Sequence, residues 1–176
     1  MNSEILNDGL EIISKLLILN AQTAPKALGR EDIVIELVNK ESDRQKIVEK
    51  SKEIAKSSGF SFYERDAINC SEISNIILIG YKIFYHKLDC GFCGFTTCKE
   101  CEKNNGMCAV SITDAGIAIG SMIKLASIFG VDNRIMLSIG RAATEVGFFK
   151  EKVGGAYGIP LSATTKNPFF DRKIKP

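Results

Sequence analysis

The chain has 176 residues, of which 45% are hydrophobic and 25% charged, and its 23 basic and 21 acidic side chains give a net charge of +2. This length and composition are typical of a globular domain with one hydrophobic core. The charges are interspersed, with no basic stripe and no run that mixes arginine with aromatic residues. The composition therefore argues against nucleic acid as a partner.

The first 30 residues lack the basic start and continuous apolar stretch of a signal peptide. The longest continuous apolar runs, at residues 16–19 and 76–79, are far too short to span a bilayer. We therefore expect a cytoplasmic protein with no membrane partner. In the cytoplasm, six cysteines are more typical of metal ligands or redox groups than of structural disulfides.

The hydrophobic pattern predicts alternating helices and strands. Apolar residues at helical spacing predict a first helix, which Ala24 and Pro25 end. Asp132 is the expected N-cap of the last helix. The predicted order is helix 3–22, strand 33–38, surface helix 42–57, strand 73–85, helix 113–130, helix 132–146 and strand 153–161. This pattern favours one α+β domain over residues 1–176, with a cysteine-rich loop at residues 86–110.

Five cysteines in this loop have the spacing C-x2-C-x4-C-x2-C-x6-C: Cys90, Cys93, Cys98, Cys101 and Cys108. Four thiolates hold an iron–sulfur cubane, usually three from one tight loop and one from further along the chain. Gly91 and Gly94 let the backbone curl so that its N–H groups face the sulfurs. The loop therefore predicts an iron–sulfur cluster, with a 4Fe–4S cluster as the first interpretation.

The preferred ligands are Cys90, Cys93 and Cys98, with Cys108 as the fourth. A second set replaces Cys108 by Cys101. A third has the plant-type spacing Cys93-x4-Cys98-x2-Cys101 of a two-iron centre, completed by Cys108 or by Cys70. Cys70 is predicted to lie in a polar turn and is expected to be a spare buried thiol.

Two other interpretations of the loop stay open. The spacing also suits a tetrahedral zinc knuckle, and a metal-free dithiol redox loop is a third possibility. His86, the only histidine, is expected to be structural rather than a ligand or proton carrier. With no other histidine in the sequence, a Ser-His-Asp hydrolase is not favoured.

Several long segments resemble an uncharacterised prokaryotic family of ferredoxin domain-containing proteins. The segments are residues 89–94 (Asp-Cys-Gly-Phe-Cys-Gly), 108–110, 113–121, 131–136, 158–162 and 166–172, and the likeness as a whole is expected to cover most of the chain. The resemblance includes Cys108 more firmly than Cys101, which supports the preferred ligand set. The family has no assigned reaction.

The order of elements also resembles the FMN-dependent nitroreductases. The shared features are the Ala24-Pro25 turn, Asp66-Ala67 before a strand, Asp114-Ala115-Gly116 opening a long helix, and Gly158-Ile159-Pro160 in the last strand. This resemblance implies a nitroreductase-like antiparallel sheet flanked by helices, a homodimer, and FMN at the subunit interface. The cysteine loop would replace the helices that cover the substrate in that family.

The same resemblance implies a set of cofactor-binding residues: Ala24, Pro25, Lys26, Gly116, Gly120, Gly158 and Arg172. Nitroreductases usually begin with an arginine-rich segment that grips the FMN phosphate, whereas this chain has no arginine before Arg30. Lys26, Arg30, Lys166 and Arg172 are the available substitutes. Gly116 and Gly120 are equally compatible with close helix packing alone.

Three functions follow from these features. The first is a flavin-linked oxidoreductase in which FMN exchanges electrons with the cluster, supplied by a redox partner protein or a small-molecule electron donor. The second is a non-enzymatic iron–sulfur electron carrier or sensor. The third is a zinc-stabilised structural domain.

Overall fold

The computed structural model describes residues 3–170. Its helices are α1 (Ser3–Thr23), α2 (Glu41–Ser58), α3 (Ser61–Cys70), α4 (Cys98–Lys103), α5 (Ala109–Ile128) and α6 (Leu137–Glu145). Its strands are β1 (Ile33–Val38), β2 (Asn75–Lys82), β3 (Asp132–Asn133) and β4 (Val153–Ser162). A short 3₁₀ turn, Ala27–Gly29, joins α1 to β1.

The four strands form one antiparallel sheet in the order β1-β2-β4-β3. β2 lies in the middle and buries Ile76 to Ile79 completely. Residues that alternate along a strand face opposite sides of the sheet. An unbroken apolar run in β2 therefore requires a layer of helices on each face.

Helices α1 and α5 cover one face of the sheet. Their buried side chains, among them Leu17 and Met122, pack against Ile77, Ile79 and Ile159. A hydrogen bond from Ser121 Oγ to Asn20 Oδ1, 2.8 Å long, also joins the two helices. Helices α2, α3 and α6 cover the other face, where Ile47 and Ile139 pack against Ile76 and Leu78.

Helix α5 is long and apolar enough, by length and composition, to cross a membrane, with a mean hydropathy of 1.4. The core helix of a globular protein has the same character. Here α5 buries Ala115, Ala118 and Met122 against α1 and the sheet. Its outer surface carries small and apolar side chains as well, including Ile117, which is 42% exposed.

Most predicted elements are confirmed, and the differences have local causes. The predicted strand 73–85 extends only over Asn75–Lys82. Helix α3 was not predicted, because it is only ten residues long and its buried face includes a charged residue, Asp66. The prediction of Asp132 as an N-cap is wrong: Asp132 pairs with Ser162 in β3, and α6 begins at Leu137.

Candidate metal centre and cofactor site

The cysteine loop leaves the sheet at the end of β2 and returns to the core at α5. Cys98 is the first residue of α4, and Cys101 lies one turn further along the same helix. Cys108 is the N-cap residue of α5. Two helix starts therefore place three of the five loop cysteines, while Cys90 and Cys93 lie in the turns that precede α4.

Local hydrogen bonds hold the turns of the loop. Asp89, in a left-handed conformation with φ of 46°, accepts a hydrogen bond of 2.6 Å from the backbone N–H of Cys98. Gly91 and Gly94 have φ of 75° and 82°, a region that glycine enters without steric cost. Thr97 caps α4 by accepting from Glu100 N–H at 3.1 Å. The loop is thus shaped by its own sequence.

Cys101 lies closest to the core among the loop cysteines, with 1% of its surface exposed. Burial raises the pKa of its thiol to about 11, and a hydrogen bond to Cys93 and the charges of Cys93, Cys108 and Cys98 add to the rise. Burial also raises the pKa of Tyr85, whose other neighbours include Cys101, Cys108 and Cys93. The charges of Cys93 and Cys108 thus contribute to the raised pKa of both Cys101 and Tyr85.

A glycine makes the approach of Cys101 possible. A Cβ added to Gly106 would lie 2.8 Å from Cys101 Sγ and 2.7 Å from the ring of Phe95. The carbonyl of Gly106 accepts a hydrogen bond of 2.8 Å from the hydroxyl of Tyr85. These contacts fix the segment between α4 and α5. The sequence did not indicate Gly106 or Tyr85 as part of the site, because neither belongs to a recognisable motif.

Cys101 thus interacts with Cys93, Cys98 and Cys108, whereas Cys90 is exposed to solvent. This group contains the plant-type spacing completed by Cys108, the third of the sets considered from sequence. It keeps Cys108, as the family resemblance favoured, and it includes Cys101 where the preferred set had Cys90.

Cys70 does not belong to this site. It is the last residue of α3, completely buried, and its thiol contacts the sulfur of Met136 at 3.7 Å. Burial holds its pKa far above the ordinary value of 9.0. The expectation of a buried spare thiol is confirmed, although the residue ends a helix and does not lie in a turn.

His86 is buried beside Asp32 and Ser111, but the three do not form a hydrolytic triad. Asp32 Oδ2 lies 3.1 Å and Ser111 Oγ lies 3.3 Å from the same ring nitrogen, Nε2. A triad needs the acid on one nitrogen and the nucleophile on the other. The arrangement therefore gives no activated serine.

The residues proposed for flavin binding fall into separate places. Ala24, Pro25 and Lys26 line an open cleft at the α1–β1 turn together with Arg30. The ammonium of Lys26 donates to three carbonyls near the end of α1, those of Gln22, Ala24 and Ala21, at 2.6, 2.9 and 3.3 Å. Lys26 therefore caps α1 in this structure, as cations at helix C-termini do.

The glycines of that set lie elsewhere. Gly116 and Gly120 are on the exposed side of α5, where an added Cβ would meet nothing within 4 Å. Gly158 lies under α6, and its added Cβ would be 2.4 Å from Ile139 Cγ2. Gly158 thus serves the packing of α6 on β4. Arg172 lies outside the described residues.

Comparison with known proteins gives the chain a family. Residues 104–172 match the model of a family described as uncharacterized proteins containing a ferredoxin domain (DUF2148). An uncharacterized protein of Archaeoglobus fulgidus is 36% identical over 96% of this chain and 95% of its own length. The chain belongs to this ferredoxin-domain family. Membership identifies it as a redox protein.

Solved structures share the fold at low sequence identity. The hypothetical oxidoreductase YcnD from Bacillus subtilis has a TM-score of 0.60 and 15% identity over 88% of this chain and 58% of that one. A nitroreductase with bound FMN from Desulfitobacterium hafniense has a TM-score of 0.60 and 14% identity over 93% of this chain and 85% of that one. The ferredoxin-domain protein therefore has a nitroreductase-like fold, although it spans about three-fifths of the length of YcnD.

Proposed function

We propose that this protein binds an iron–sulfur cluster through Cys93, Cys98, Cys101 and Cys108, and that the cluster exchanges electrons with a flavin. The observation that carries the proposal is the buried Cys101 thiol, which hydrogen-bonds to Cys93 and interacts electrostatically with Cys98 and Cys108. Iron–sulfur clusters are held by cysteine thiolates, so the set of donors matches the group.

The surroundings of the four cysteines suit an anionic cluster. Cys108 lies at the N-terminus of the 20-residue helix α5, where the free N–H groups and the helix dipole favour negative charge. Cys101 is buried on the inner side, and Tyr85 is partly buried. Burial and hydrogen bonds to the sulfurs are the main means by which a protein tunes a cluster potential.

The flavin part of the proposal rests on the fold and on one cleft. The nitroreductase of D. hafniense contains FMN, and here the α1–β1 turn forms an open cleft beside α5, with Asp114 accepting from Ala27 N–H at 2.9 Å. Arg30, which stacks on Phe84 at 4.9 Å, is the arginine placed to meet a phosphate. Flavins take part in both single-electron and hydride transfer, so the cluster would supply single electrons to the flavin or accept them from it.

The exposed faces of α1 and α5 support a homodimer as part of the same proposal. The two helices lie side by side on one face of the sheet, and their outer surfaces carry large apolar side chains: Ile5, Ile12, Leu16, Leu19, Ile112, Ile117 and Ile128. Exposed apolar patches of this kind mark interaction sites. Gly116 and Gly120 on this surface permit a second copy, and its flavin, to approach closely.

Anaerobic purification followed by quantitation of iron, sulfide and flavin tests the proposed function. Four irons and four sulfides per chain would identify a cubane, and two of each would identify the two-iron centre. We also expect one FMN per chain to be released on denaturation. Stoichiometric zinc without iron would contradict the redox proposal, and a cluster without flavin would reduce the function to electron carriage or sensing.

Replacement of Ile117 by glutamate is expected to separate the dimer, since it places a charge in an apolar interface. Light scattering after size-exclusion chromatography should show a dimer for the natural protein and a monomer for Ile117→Glu, with loss of bound FMN. Ile68→Glu is the matched control, because Ile68 is 60% exposed on α3 at the opposite face. A natural protein that runs as a monomer would refute the dimer.

A further inference from the structure

Asp32, His86 and Asp114 form a buried cluster whose potential ligand atoms all lie within 4.8 Å of one another. Asp32 precedes β1, His86 follows β2, and Asp114 lies in the second turn of α5. The antiparallel pairing of β1 with β2 brings the first two together, and the packing of α5 on the sheet adds the third. The three side chains are separated by at least 28 residues of sequence, so no local pattern reveals the cluster.

No lysine or arginine within residues 3–170 pairs with the two carboxylates of this cluster. Asp32 and Asp114 are 2% and 4% exposed, and the contact recorded between them and a basic side chain is the one from His86 Nε2 to Asp32 Oδ2. Burying carboxylates without a compensating charge is costly.

Hydrogen bonding in the cluster is also incomplete. Asp32 Oδ1 and His86 Nδ1 are buried and have no hydrogen-bond partner among the described residues. Buried polar atoms are rarely left without a partner unless a water or an ion supplies one. Asp32 Oδ1 is therefore a buried acceptor within the cluster that is able to bind a ligand.

We propose that Asp32, His86 and Asp114 bind one divalent transition-metal ion, separate from the cysteine site. One imidazole and two carboxylates are a donor set for ions such as Mn²⁺ or Fe²⁺. The 3.1 Å between His86 Nε2 and Asp32 Oδ2 matches two neighbouring ligands on one ion, given metal–ligand distances of about 2.0–2.2 Å. Ser111 Oγ, 3.3 Å from Nε2, stands beside the ion as a further oxygen donor.

The ion would join the start of β1, the end of β2 and the N-terminal part of α5. Ser111 is three residues after Cys108, and His86 is four residues before Cys90. The site therefore lies at the base of the cysteine loop, and Asp114 also holds the α1–β1 turn through Ala27. Binding an ion at this junction stabilises the folded chain by linkage. The proposal does not depend on the cluster or on flavin.

Manganese is the probe, because it prefers carboxylate oxygens and is a poor partner for thiolates. Titration of the tag-free full chain with Mn²⁺, followed by the loss of the free-ion EPR signal, should show one bound ion per chain. Pulsed EPR should then detect nitrogen coupling from an imidazole. His86 is the only histidine of the chain, so this signal has a single source.

Asp32→Asn is expected to weaken Mn²⁺ binding by at least about tenfold, and His86→Gln should remove the nitrogen coupling. Asp43→Asn, which makes the same chemical change on α2, is the matched control and should bind Mn²⁺ normally. Mn²⁺ should raise the melting temperature of the natural protein and leave that of Asp32→Asn unchanged. No binding at millimolar Mn²⁺, equal binding by Asp32→Asn, or binding without nitrogen coupling would overturn the proposal.

Discussion

Replacement of Cys101 by serine is expected to remove most of the bound iron and sulfide. Cys101 is the buried member of the group, and its thiol interacts with those of Cys93, Cys98 and Cys108. A hydroxyl in its place leaves one iron without a thiolate on the side where solvent cannot supply a ligand. Anaerobic reconstitution with iron and sulfide, followed by quantitation and visible absorbance, measures the loss.

Cys90→Ser is the matched control for this experiment, since it makes the same chemical change in the same loop. Cys90 is exposed, and we expect the variant to retain its full iron content. The two variants separate the ligand sets directly. Loss of iron in Cys90→Ser together with retention in Cys101→Ser would restore the set preferred from sequence and contradict the structure-based proposal.

Replacement of Gly140 by alanine is expected to lower the free energy of unfolding by about 3 kcal/mol. Gly140 lies inside α6, where the helix touches β4, and an added Cβ would be 2.0 Å from the carbonyl oxygen of Ala156. The Cα of Tyr157 would be 2.5 Å away. Because these atoms belong to the backbone of an interior strand, α6 would have to move away from the sheet.

Thermal and urea unfolding measure this effect, with an expected fall in melting temperature of roughly 6–12 °C. Gly9→Ala is the control, because Gly9 is also inside a helix and its added Cβ would meet nothing within 4 Å. That change should be neutral or stabilise the protein by up to about 1 kcal/mol. Equal stability of the two variants would show that α6 does not approach β4 this closely.

The sequence predicted the fold class because two patterns in it are strong. Short runs of apolar and β-branched residues located β1 and β2, a glycine-rich segment located β4, and the helical spacing of Leu6, Leu10, Ile13 and Leu17 located α1. Gly59 ends α2 in the left-handed conformation expected of a helix C-cap. The resemblance of this order to the nitroreductases supplied the antiparallel sheet flanked by helices, and the shared fold confirms it.

Short elements were not predicted where tertiary contacts, rather than the preferences of the local sequence, determine the secondary structure. The segment at residues 132–133 forms a strand only because β4 provides a partner, through Asp132 opposite Ser162. Helix α3 is stabilised by contacts made across the chain, such as the hydrogen bond from Ser138 Oγ to Asp66 Oδ2 at 2.5 Å. The residues next to Asp66 and Asp132 in the sequence do not indicate these tertiary contacts.

The sequence by itself determined that the cysteine loop is the candidate metal site, because thiol spacing is a local property. The choice among its thiols depended on tertiary structure, which buries Cys101 and leaves Cys90 exposed. The Asp32, His86 and Asp114 cluster was decided by tertiary structure alone, since β1, β2 and α5 each contribute one side chain. A site whose residues are close in sequence can be predicted from their spacing. A site whose residues come from separate strands and helices forms only when the core packs.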